Sequence, residues 1–209
     1  MEKYKAPISF KIIYYVTAII YYLSAFACLI AFGLTMLILT GILKNGLQLH
    51  VLMPVEFDLL EIGNLYMNSS NIKVEIVEAV GKVHFIDTPL FLARWISLAL
   101  IFVVTGGFYI LDLFWKFIKN VKNGIIFEFE NIRLLKKIGF GLMGLWLYLI
   151  IYSQILKYTI AKWLEFDDVS ITGDDRNYVA LLLFGLFIWV LSHIFIKGSE
   201  LEEENKLTI

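Results

Sequence analysis

Between Lys11 and Lys44 the chain reads IIYYVTAIIYYLSAFACLIAFGLTMLILTGIL, residues 12–43, with no charged side chain. A helix rises 1.5 Å per residue, so these 32 positions extend about 48 Å. The hydrocarbon core of a bilayer is only about 30 Å thick. One span that tilts or projects beyond the lipid is therefore predicted. Met1 to Lys11 has the look of a basic signal-peptide start. A signal core, however, holds roughly 7–15 apolar residues and ends at a small-residue cleavage site. This run is at least twice that length, which points to an uncleaved first span.

Three more runs are long enough to cross. They cover about 90–118, 138–156 and 178–196. Arg94-Trp95 and Trp115-Lys116 edge the second, Lys136-Lys137 and Lys157 the third, and Arg176 and Lys197 the fourth. The whole chain of 209 residues is 59% hydrophobic and 18% charged, with a mean hydropathy of +0.76. A soluble domain has about 45–50% apolar and about 25% charged residues. Too few polar groups remain to cover a globule in water, so the bilayer is the expected solvent and partner. The predicted class is an all-α integral membrane protein, a four-helix bundle forming one membrane domain over 1–209. The formal net charge of −1 argues against direct nucleic-acid binding. The single Cys28 can form no internal disulfide.

Orientation follows from the cations near span ends. Lys3, Lys5, Lys11, Lys116, Lys119, Lys122, Arg133, Lys136, Lys137, Lys197 and Lys206 fall on one side of an even-span topology. The other side holds Lys44, Lys73, Lys82, Arg94, Lys157, Lys162 and Arg176. The bias predicts both chain ends in the cytoplasm. The segment 44–88 has short period-two alternations, such as Ile72, Val74 and Ile76 around Lys73 and Glu75. These predict a small extracytoplasmic β-rich insertion, which Val169 and Ile171 could extend by a strand. The connection 119–137 is basic: Asn123-Gly124 should stop the second helix, and Glu128 to Ile138 should form a short amphipathic helix leading into the third span. The tail 197–209 is acidic, about −2, and ends in apolar residues; it could dock on the connection, about +4 from Lys116 to Lys137.

Gly139, Gly141 and Gly144 match GxGxxG. A dinucleotide site needs a strand before them and a turn around them; inside an apolar span their expected role is close helix packing. Asp112 is an intramembrane acid, and such residues suggest function. Lys116 stands four residues on, so an interfacial ion pair is the plain structural account. His193 lies at similar depth one turn before Lys197, as a capping or interhelical hydrogen-bonding group; contact with Asp112 would make a pH-sensitive pair. His50 and His84 have no metal-ligand spacing, the acidic outer loop has no EF-hand spacing, and no nucleophile motif is visible. No catalytic residue, cofactor or metal is expected.

Gly198, Leu201, Glu203-Glu204-Asn205 and Leu207-Thr208-Ile209 resemble the closing signature of the bacterial membrane proteins called domain-of-unknown-function family 2975. Gly124, Phe127, Glu130-Asn131 and Leu134 to Ile138 are similar to that family's basic loop before its third span. Lys206 departs from it, since members usually carry an acid there. The resemblance covers about 90–209, with the first span matching by architecture. It implies a four-span bacterial inner-membrane protein, of a family often encoded beside a small helix-turn-helix regulator. It brings no catalytic residues.

Two functions are therefore expected from different classes. The first is a non-enzymatic sensor or regulatory partner of a cytoplasmic DNA-binding protein, with Lys136, Lys137, Glu203, Glu204, Asn205, Leu207, Thr208 and Ile209 as its contact residues. The alternative is a small transporter or channel subunit using Asp112, Lys116 and His193. Four spans make a thin pore, so that role would require a homo-oligomer.

Overall fold

A computed structural model describes residues 7–43, 49–57, 62–67, 70–75, 79–85, 88–161, 169–171 and 178–207. Four helices dominate it: α1 (Ile8–Leu39), α2 (Leu90–Lys122), α3 (Phe129–Ala161) and α4 (Val179–Leu207). All four are long and apolar enough to cross a membrane. Their outward surfaces are those of lipid-solvated helices, with Leu29 of α1 71% exposed and Phe187 of α4 63% exposed. In water such faces would cost roughly 25 cal/mol for each Å² left uncovered.

The ends of the helices are set by local chemistry. Pro7 and Pro89 precede α1 and α2, where a missing N–H costs nothing. At the other end of α2, Gly124 takes φ 85°, which the absence of a Cβ permits. Its N–H donates to the Val121 carbonyl and that of Ile125 to the Asn120 carbonyl, the pair of bonds that closes a Schellman cap. Gly41, at φ 75°, follows the last turn of α1 in the same way. The first helix thus stops short of the apolar run, which continues to Leu43.

Two expectations about boundaries are corrected. The amphipathic stretch before the third span is not a separate short helix, because α3 is continuous from Phe129 to Ala161. Nothing between Glu130 and Ala161 breaks it, and the 3.6-residue period is the same on either side of a membrane surface. Of the connection 119–137, only residues 123–128 lie between helices. The first residues of the tail belong to α4, which carries on to Leu207.

The principal helix contacts are sequential, α1 on α2, α2 on α3 and α3 on α4. A small apolar core of Leu113, Leu134 and Ile138 is packed by Ile110, Phe117, Leu142 and Ile188. Only Thr17 and Thr35 of α1 are buried. Between α1 and α2 the backbone forms four strands: β1 (Leu49–Phe57), β2 (Ile62–Met67), β3 (Ser70–Glu75) and β4 (Ala79–Phe85). A fifth, β5 (Val169–Ile171), precedes α4. The order β4-β1-β5 makes one antiparallel sheet, with His50 paired in register to His84, and β2-β3 makes another.

Candidate functional site

A fully buried, hydrogen-bonded polar side chain lies where α2 turns into α3. Asn131, two residues into α3, has no exposed surface. Its amide nitrogen donates to the carbonyls of Ile125 (2.5 Å) and Ile126 (3.2 Å), and its oxygen accepts from the Asn120 amide (2.9 Å). One side chain thus joins the end of α2, the turn and the start of α3. A buried amide must be satisfied in this way, because an unmade bond costs about 1–3 kcal/mol.

The turn is then seated on α4. The ring of Phe127 lies over Gly198, and a Cβ built there would meet its Cε1 at 2.7 Å. The same ring faces Phe195 with centroids 5.2 Å apart, and Phe117 of α2 reaches Phe195 at 6.1 Å. Beside this contact runs a polar groove of about 350 Å³. The turn contributes Gly124 and Glu128 to its wall, and the extension of α4 contributes Ser199 and Glu203.

Higher in the helices, glycines set the approach of α3 to α4. A Cβ on Gly139 would stand 3.0 Å from the Gly185 carbonyl oxygen and 3.1 Å from the Trp189 nitrogen. One on Gly185 would meet Met143 Cγ at 2.9 Å and the Gly139 oxygen at 3.0 Å. Gly141 faces Ile110 of α2 at 3.0 Å, while Gly144 has open space around it. Two of the three GxGxxG glycines are therefore packing positions, and the motif lies inside a helix with no strand or turn to hold a phosphate.

The intramembrane acid has two partners. Asp112 accepts from Lys116 Nζ at 2.6 Å, the expected pair one turn apart, and from the Tyr21 hydroxyl of α1 at 3.3 Å. Tyr21 belongs to an aromatic stack: Tyr14 on Trp115 at 4.9 Å, Trp115 on Tyr21 at 5.8 Å and Tyr21 on Phe108 at 5.4 Å. Lys122 sits 3.6 Å over the Tyr14 ring. His193 takes no part. Its Nδ1 lies 3.0 Å from the Trp189 carbonyl oxygen of its own helix, and among the described residues no hydrogen bond joins it to Asp112.

Of the other sequence-derived residues, Lys136 and Lys137 lie within α3 and Glu203 lines the groove. Glu204 lies on α4 beyond it. Asn205 and Leu207 belong to the helix backbone, while their side chains, and Thr208 and Ile209 entirely, lie outside the described residues. Sequence reasoning missed Asn120, Phe195 and Ser199. Its signal for Asn131 and Phe127 was the family resemblance alone.

Comparison with known proteins gives one family match. The family described as protein of unknown function (DUF2975) matches residues 62–209, which takes in β2 to β4 and the helices α2 to α4. Both quoted motifs fall inside the match, and Phe127 and Gly198, one from each, are the residues in contact. No curated protein matches, and no solved structure does.

Proposed function

This chain belongs to the DUF2975 family, and from that premise we propose a non-enzymatic, multi-pass protein of the bacterial inner membrane that regulates a small cytoplasmic DNA-binding protein. The observation that carries the reading is the seat of Phe127 on Gly198 beside the polar groove. It ties the α2–α3 turn to the extension of α4, so that two short motifs distant in sequence form one surface.

In this reading the α2–α3 turn faces the cytoplasm, as do both chain ends, because eleven of the eighteen cations cluster on that side. The strands between α1 and α2 then form the extracytoplasmic part that meets the signal. The resemblance supplies the partner class, a helix-turn-helix regulator encoded beside the membrane protein.

The test is co-expression of the chain with the small DNA-binding protein encoded next to it. Affinity capture should recover both from solubilised membranes. Deleting residues 200–209 should abolish recovery and change transcription from the regulator's promoter. Recovery unaffected by the deletion, with unchanged transcription, would refute the proposal. Reporter fusions at Ile209 and at residues 58–61 check the topology separately.

A further inference from the structure

The cations near the α2–α3 turn divide into those with partners and those without. Lys116 is paired with Asp112 at 2.6 Å, Lys197 with Glu200 at 2.5 Å, and Lys122 is stacked over Tyr14. Arg133, Lys136 and Lys137 of α3, and Lys119 of α2, have no carboxylate within 4.0 Å among the described residues. Arg133 and Lys137 are exposed and Lys136 is half-exposed. The nearest acids in sequence, Glu128 and Glu130, lie on the turn side of them, farther from the apolar part of the helix.

Arg133 and Lys137 stand at the head of a lipid-facing lane, with Lys136 on its α4 side. Residues 133, 137, 140, 144, 147 and 151 recur at intervals of four and three, which is one face of a helix. It is the face opposite the buried Ile132, Leu135 and Ile138. Below the cations come Phe140, 58% exposed, and the open space around Gly144. The register with α4 is fixed by the Gly139–Gly185 approach, which sets Phe140 beside Trp189 with ring centroids 6.4 Å apart. Trp189 is itself partly exposed. His193, one turn on, is turned to its own helix.

We infer that this outer face of α3, with Trp189 of α4 at its edge, is a headgroup site for an anionic phospholipid: Arg133, Lys136 and Lys137 hold the phosphodiester, and an acyl chain lies over Phe140 and Trp189. Guanidinium and ammonium groups make short, charge-assisted bonds to phosphate oxygens. Their stems can lie along apolar surface while the heads reach the phosphate. Lys and Arg clustered at the end of a membrane helix are suited to anionic headgroups. The apolar lane beneath decides between a lipid and a free anion, since inorganic phosphate would gain nothing from it. The inference needs the membrane helices but not the regulatory role.

The experiment uses the full chain in detergent micelles, with native mass spectrometry after adding equal amounts of dioleoyl phosphatidylglycerol and dioleoyl phosphatidylcholine. Phosphatidylglycerol adducts should dominate several-fold. R133Q, K136Q and K137Q should each weaken that lipid by up to about fivefold, and the triple variant should bring the two lipids close to parity. K119Q, on α2, should change nothing. All variants should keep the wild-type melting temperature in lipid-free detergent, and the single variants decide the matter if the triple one fails to fold. Equal retention of the two lipids by wild type would overturn the inference, as would a preference that survives the triple substitution. Displacement of the lipid by millimolar inorganic phosphate would also overturn it, showing a free-anion site.

Discussion

Phe127 and Gly198 fit as ring on backbone: the space that a methyl group at 198 would take is already occupied, with the ring carbon only 2.7 Å away. Gly198→Ala should push the ring off and lower stability by about 1–3 kcal/mol, read as a fall in melting temperature in detergent. Phe127→Ala should remove most of that penalty, so the double variant is less damaged than the two losses added. Strict additivity would show that the ring and the glycine do not depend on each other.

The glycines of α3 and α4 should separate cleanly. At Gly185 a Cβ would meet Met143 Cγ, which can shift, and the Gly139 carbonyl oxygen, part of the backbone of α3, which cannot swing aside. Gly185→Ala and Gly139→Ala should each cost about 1–3 kcal/mol in a detergent-denaturation titration. Gly144→Ala, with nothing within 4 Å, should be neutral or slightly stabilising. If all three behaved alike, the close approach of α3 to α4 would be wrong.

Asn131 should be the most sensitive polar residue of the described chain. Its loss to alanine strands two turn carbonyls and the Asn120 amide, at about 1–3 kcal/mol for an unsatisfied buried group. Asn131→Asp keeps the shape but sets an oxygen where the donor stood, facing the Ile125 carbonyl, and should be at least as harmful. Proteolysis of the α2–α3 turn measures this directly: both variants should be cut faster than wild type, and Asn120→Ala less so.

The Asp112 group should act as a fastener between α1 and α2. Tyr21→Phe loses one long hydrogen bond and should cost about 0.5–1 kcal/mol. Asp112→Asn should cost little more, because Lys116 is mostly exposed and can reach water. Liposomes carrying the wild-type chain should show no ion or proton flux above empty vesicles. Flux that Asp112→Asn abolished would instead establish the transporter alternative.

How far these features could be read in advance depends on the range of the interaction. Run length alone exposes the four spans, because the thickness of the bilayer makes length decisive. The stop at Asn123-Gly124 and the Asp112–Lys116 pair are local, fixed by residues within one turn. Continuity of α3 was invisible, since an amphipathic helix and the span it leads into share one period. Tyr21 and Asp112 are 91 residues apart, and nothing marks Tyr21 among the eleven tyrosines. Reading His193 beside Asp112 relied on depth, whereas rotation about the helix axis decides what a side chain meets. Phe127 and Gly198 were both singled out as family signature residues, yet only packing reveals that they touch.

The sequential arrangement of helix contacts bears on biogenesis. Each helix finds its principal neighbour in the one made just before it, so the bundle can grow in the order of synthesis. When α2 enters the lipid, α1 is already there to offer the Tyr21 hydroxyl to Asp112, and the costliest side chain of that helix is met on arrival. The last helix delivers Gly198 to a turn that Asn131 has already shaped, which makes closure of that end the final act of assembly.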